Sequence, residues 1–210
     1  DETAETIIRA LLAAKNPVVY AGGGVLIADA AAELAEFVNH FDFPVAHSLM
    51  GKGAVADDNP LVLGMTGFWG TEFINEKTRD ADYILGLGSR FAEADSSSWE
   101  NEYTFDFPKT KLIQIDIEAS EIGRNYPVEI GAVADLKQAL TVLNRVAKKI
   151  APEGRQNEVL KREIAANKKE FKDSNKQFAE DNCFPMQPQR ILADVREVLP
   201  HDAFITTDVG

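Results

Sequence analysis

The chain has 210 residues, of which 45% are hydrophobic and 27% charged, with 34 acidic against 22 basic side chains and a formal net charge of -12. That acidic surplus argues against a nucleic-acid partner, because no basic stripe is present to neutralise phosphates. No apolar run approaches the length of a membrane span, and a lone Cys183 excludes an internal disulfide framework and fits a reducing, cytoplasmic setting.

The pattern begins with an amphipathic helix, "TAETIIRALLAAK", for which Thr3 is the expected N-cap. "PVVYAG" is an apolar run opened by Pro17 and reads as a buried strand. Residues 28–41 then place Leu34, Phe37, Val38 and Phe41 on one helical face. "FPVAHS" reads as a second short strand, and the glycine cluster "GMTGFWG" as part of a loop between Pro60 and Thr71. "TEFINEKTRDA" is a helix and "DYILGLGS" a third strand, apolar throughout as a strand covered on both faces should be. "KLIQIDIE" and "PVEIGAV" give a fourth and a fifth, and residues 135–149 a helix with Leu136, Leu140, Leu143 and Val146 inward. Strands alternating with helices imply an α/β fold, a doubly wound parallel sheet with helices on both faces, spanning residues 1–150. Residues 151–184 are charged with sparse apolar positions and read as a long solvated helix or linker. Residues 185–210 read as the opening of another α/β domain, the helix "PQRILADVREVL" followed by the strand "AFITTDVG". A strand ending the chain with no crossover helix after it suggests part of a longer polypeptide.

In an open parallel sheet, ligands bind at the carboxyl ends of the strands, near the switch in strand order. The segments expected there are Gly22-Gly23-Gly24, "HSLMGKG", "GLGSRF" and "DIE", with "GMTGFWG" nearby. A single glycine cluster is more often a structural turn than a ligand site. Four at one sheet edge, with Lys52 and Arg90 close by to offset anionic charge, point to a site. It is not of the ordinary kind. A phosphate-binding Walker loop fails because Gly51-Lys52 is followed by glycine, and the dinucleotide fingerprint fails because Ile27 stands at its third glycine. His40, His47 and His201 have no metal-ligand spacing, residues 94–99 offer hydroxyls without a nucleophile elbow, and Trp69 suits either a ligand face or a cover for the sheet edge.

Taken in order, "YAGGGV", "HSLMGKGAVADDNPLVLGMTGFWGT", "ADYILGLGSRF" and "KLIQIDIEASEIGRNYPVEIGAVADLKQAL" resemble the central domain of thiamine-diphosphate enzymes of the acetolactate synthase type. "PQRILADVREVLPHDAFITTDVG" resembles the start of that family's pyrophosphate-binding domain. The resemblance implies a sheet like that of sirtuins and deoxyhypusine synthase, holding FAD in a largely structural role. Carried over by motif, the flavin and phosphate neighbours are Gly22, Gly23, Gly24, Leu49, Met50, Gly51, Thr66, Gly67, Gly88, Ser89, Arg90 and Phe91. Asp116 and Ile117 would flank the adenosine, with Asp116 accepting from ribose hydroxyls, and Asp135 would close the adenine side.

The same resemblance implies a parent that uses thiamine diphosphate and Mg2+ on a 2-keto acid such as pyruvate and forms a homodimer or homotetramer. The family's activating glutamate belongs to its first domain and its Gly-Asp-Gly to Asn metal motif to its third. This stretch is therefore expected to be inactive alone, with no catalytic and no metal residues. Two departures matter. The family's Arg-Phe-Asp-Asp-Arg run is here Arg90-Phe91-Ala92-Glu93-Ala94, and Ala134 replaces the glycine before Asp135. The lost second arginine weakens the case for FAD and for acetolactate synthesis, and leaves ADP or no ligand open. The rival reading is a stand-alone module that binds ADP or NAD without catalysis.

Overall fold

The computed structural model describes residues 1–206 and divides into two units, Asp1–Ile164 and a second that starts at Ala165. In the first unit the strands are β1 (Pro17–Ala21), β2 (Val45–His47), β3 (Val62–Met65), β4 (Tyr83–Leu87), β5 (Lys111–Asp116) and β6 (Ile130–Val133). All pair in parallel, in the order β3-β2-β1-β4-β5-β6. The helices between them are α1 (Glu2–Ala13), α2 (Gly24–Ile27), α3 (Ala31–Phe41), α4 (Glu72–Arg79) and α5 (Leu136–Ile150). The fold is the expected doubly wound α/β sheet.

Strand periodicity divides the core. Val19 and Ala21 of β1 face one layer with Leu85, Ile113 and the helices α1, α3 and α5. Val18 and Tyr20 face the other, with Ile84, Leu112, Ile74 of α4 and the rings of Phe91, Phe105, Phe107 and Tyr126. Both faces of the central strands are therefore dry, which is why their sequences are runs rather than alternations. The apolar stripe of α3 is wholly buried, and the helix ends at Asp42 in the left-handed region with φ 50°. α5 is capped by Asp135, whose carboxylate accepts the Gln138 N–H at 3.0 Å.

Three expectations need correction. Residues 62–65 form an edge strand rather than loop; the run is short, broken by Gly64 at φ 131°, and its register shifts against β2. The helix expected over residues 28–41 starts only at Ala31: Asp29 at φ 50° separates it from α2, a single turn opened by the glycines. The helix α1 begins at Glu2 with Asp1 at the cap position, so Thr3 lies inside its first turn.

A further helix, α6 (Glu158–Ala179), begins in the first unit, where Ile164 is buried in the core. The second unit holds the rest of α6 and α7 (Pro188–Val198), which starts on a proline whose missing N–H a first turn does not need. Residues 203–206 carry no strand, and the remainder of the expected closing strand, 207–210 with Asp208 and Gly210, lies outside the described residues.

Candidate functional site

The strand order reverses between β1 and β4, so the turns that leave these two strands bound the crevice of the sheet. They are bonded to one another. Gly22 N donates to Leu87 O at 2.9 Å and Gly24 N to Gly88 O at 3.1 Å. A β-carbon on Gly24 would lie 2.8 Å from Gly88 Cα, and Gly88 itself sits at φ 56°. Beside these turns opens a cavity of about 670 Å3, within the roughly 300–1,000 Å3 common for small-molecule sites.

Nine residues singled out in the sequence line it: Gly23, Gly24, Met50, Gly88, Ser89, Arg90, Asp116, Ile117 and Asp135. They come from the carboxyl ends of β1, β2, β4, β5 and β6. Six others stand off its wall. Gly22 faces the Gly88 backbone, Gly51 the Ala21 carbonyl and Gly67 the backbone of Ala94 and Asp95. Leu49 is half exposed in the short 3-10 turn Leu49–Gly51. Thr66 is wholly buried, its hydroxyl donating to Asp95 O at 2.9 Å and lying 3.2 Å from the Tyr20 hydroxyl. Phe91, turned inward by φ 49°, stacks on Tyr20 with ring centroids 5.1 Å apart. Burial pushes the Tyr20 hydroxyl far above its ordinary pKa, so it stays a neutral core group.

The wall also contains Asp95, Glu118 and Glu121, which the sequence reading passed over. Asp95 Oδ1 accepts the Leu49 N–H at 3.0 Å and thereby ties residues 94–99 to the turn after β2. No local motif marks that bond, whose partners are 46 positions apart. In the "DIEASE" segment the resemblance points to Asp116 and Ile117 alone, whereas Glu118 and Glu121 reach the same wall.

The cavity is acidic. Asp95, Asp116, Glu118, Glu121 and Asp135 face it against one guanidinium, that of Arg90, which is exposed and has no ion pair among the described residues. Backbone amides hold several of these carboxylates: Glu118 N donates to Asp116 at 2.9 Å and Ser120 N to Glu118 at 3.1 Å. The Ser120 N–H and hydroxyl keep the Glu118 carboxyl below its ordinary pKa. His47 closes the end of β2, its Nδ1 2.9 Å from the Ser48 carbonyl; only a protonated Nδ1 can make that bond. Burial lowers its pKa below the ordinary imidazole value. No cluster of three or more metal-ligating side chains occurs among the described residues. A smaller cleft of about 260 Å3 lies at the opposite, amino edge of the sheet, beside Pro17, Pro44 and Leu160.

The family model for the thiamine pyrophosphate enzyme, central domain, matches residues 4–143, which hold the whole sheet and every element around the crevice. The chain belongs to this family. The central domain is similar to the "Probable acetolactate synthase large subunit" of Methanocaldococcus jannaschii, 35% identical over 93% of this chain and 32% of that protein. It is also similar to the "Glyoxylate carboligase" of Escherichia coli O157:H7, 34% identical over 98% of this chain and 34% of the relative. The "Acetolactate synthase, chloroplastic" of Arabidopsis thaliana is 33% identical over all of this chain and 30% of its own length. The chain thus spans about a third of the length of the relatives it matches.

Proposed function

We propose that this chain is the central-domain part of a thiamine-diphosphate-dependent carboligase or decarboxylase acting on a 2-keto acid such as pyruvate. Its own task in that enzyme is to hold an adenosine-bearing cofactor, FAD slightly ahead of ADP, at the carboxyl edge of the sheet. One observation carries this reading: the cavity at the switch in strand order is framed at one side by backbone of Gly23, Gly24 and Gly88 and at another by the buried Asp116. Glycines let a diphosphate approach the backbone closely, although the Gly24 and Gly88 N–H groups are already given to Gly88 O and Ile115 O, and a carboxylate suits a ribose diol. Arg90 would offset phosphate charge, and Asp135 would border the adenine. FAD bound here would serve chiefly as a structural brace; the chain's residues bind and orient it. The names of the relatives, acetolactate synthase and glyoxylate carboligase, support the keto-acid reading.

Thiamine diphosphate and Mg2+ would be gripped by parts of the parent that flank this stretch in the family, and the parent would be a cytoplasmic homodimer or homotetramer. Two measurements test the reading. Calorimetric titration with FAD, ADP and NAD should give heat with FAD, and weaker heat with ADP. The purified chain with pyruvate, thiamine diphosphate and Mg2+ should give no turnover above the buffer blank. No heat from any of the three at millimolar ligand would reduce the glycine turns to corners, and turnover would show that the catalytic parts are not missing. Heat from ADP or NAD alone would favour a nucleotide-binding module.

A further inference from the structure

The charges on the cavity wall are unevenly placed. Asp116, Glu118 and Glu121 leave the end of β5 together, whereas Arg90 follows β4. Asp116 is 7% exposed; one of its oxygens accepts the Glu118 N–H, and the other has no partner among the described residues. Glu121 repeats the pattern. Its Oε1 pairs with Arg124 at 2.8 Å, while its Oε2 is buried without a partner among the described residues. The buried Glu121 oxygen and the open oxygen of Asp116 are both acceptors, and acceptors on a cavity wall call for a hydrogen-bond donor. A hydroxyl supplies one. A phosphate supplies none when ionised, and sets its own charge against three carboxylates. The neighbouring cation, Arg124, is engaged by Glu121 and its side chain is 61% exposed, so it offers a weak counter-charge.

We propose, resting on the nucleotide reading above, that the β5 end of this cavity selects adenosine nucleotides whose ribose hydroxyls are free and excludes those phosphorylated at the 2′ or 3′ oxygen. Asp116 takes the ribose hydroxyls, and Glu118 and Glu121 set the exclusion. The acceptable ligands are those whose phosphates all lie on the 5′ side, toward Gly23, Gly24 and Arg90.

The test compares ADP with adenosine 2′,5′-bisphosphate and adenosine 3′,5′-bisphosphate on the 210-residue chain by calorimetry, with FAD titrated alongside. All three carry two phosphates and differ in where the second one sits. ADP should bind at least about tenfold tighter than either bisphosphate at low salt, a one-charge effect at a partly solvated wall. The gap should narrow in Glu118→Gln, which keeps the acceptor for Ser120, and at raised ionic strength. Bisphosphates that bind as well as ADP would overturn the proposal. So would a gap that persists undiminished in both Glu118→Gln and Asp116→Asn, since shape rather than charge would then be responsible. If neither FAD nor ADP binds, the nucleotide reading itself fails and this inference falls with it; if FAD binds and the bisphosphates match ADP, only the inference fails.

Discussion

Gly22 and Gly88 meet backbone to backbone across the switch in strand order, where a β-carbon on Gly22 would lie 2.6 Å from both the Gly88 carbonyl carbon and Ser89 Cα. Neither neighbour is a flexible side chain, so the turn cannot yield without parting β1 from β4. Gly22→Ala should therefore cost at least about 2 kcal/mol, in the range of steric and strain mechanisms. Gly53 is the control: at φ 87° with nothing within 4 Å of an added β-carbon, its alanine variant should lose only about 1–2 kcal/mol of left-handed penalty. Urea unfolding of the two variants checks the order. Equal losses would mean that the turns can separate cheaply.

The legible and illegible parts of this fold divide along physical lines. β1, β4 and β5 were readable because burial on both faces forces continuous apolar runs, and α3 and α5 because their buried residues recur at helical spacing. β3 was not, because four residues interrupted by Gly64 carry too little pattern. At the site, the glycines could be located but not sorted. Gly23 and Gly24 border the cavity, while Gly51 and Gly67 accommodate neighbouring backbone, and only the packed chain tells these apart. Phe91 looks like a ligand neighbour by position, yet its positive φ sends the ring into the core.

Asp42 ends α3 with its side chain 2% exposed, held by Lys161 Nζ at 2.7 Å and by Asn157 N at 2.7 Å. This pair fixes the first turns of α6 against the first unit. Lys161→Met would leave a buried carboxylate with one backbone donor. Because Lys161 is itself partly exposed, we expect a loss of about 2–3 kcal/mol, below the full cost of breaking a buried pair. Asp42→Asn in the same chain should restore part of it, since asparagine tolerates the left-handed conformation and still accepts from Asn157. Denaturant midpoints of the single and double variants decide; a double variant no more stable than Lys161→Met would show that the charge is not what is being left unpaired.

His47 sets a pH window. Desolvation lowers its pKa, outweighing the Ser48 carbonyl, which raises it. The folded state thus binds its proton less readily than the unfolded chain, whose imidazole titrates near about 6.5. As pH falls below that value, the unfolded state takes up the proton first and stability drops, until the folded His47 is protonated too. Above the window, His47 contributes no pH dependence. The slope of unfolding free energy against pH just below the ordinary imidazole pKa should shrink in His47→Gln, and an unchanged slope would assign it to other groups.

The last prediction concerns Arg90. It follows the turn after β4, on the wall that also holds Gly23, Gly24 and Gly88, and its guanidinium is exposed to the cavity without an ion pair among the described residues. In the proposed site that is where a diphosphate would lie, because the other charged wall residues are carboxylates. A guanidinium on phosphate is a charge-assisted contact, so Arg90→Ala should weaken FAD and ADP alike, each by about 1.5–3 kcal/mol. The loss should diminish as salt is raised, since an exposed charge is screened. Asp116→Ala should weaken both ligands by about 1–3 kcal/mol as well, through the hydroxyl side of the same molecule. The informative contrast is between ligands. If Arg90→Ala weakens FAD but leaves ADP untouched, the guanidinium faces the flavin rather than the phosphates, and the orientation proposed for the ligand must be reversed.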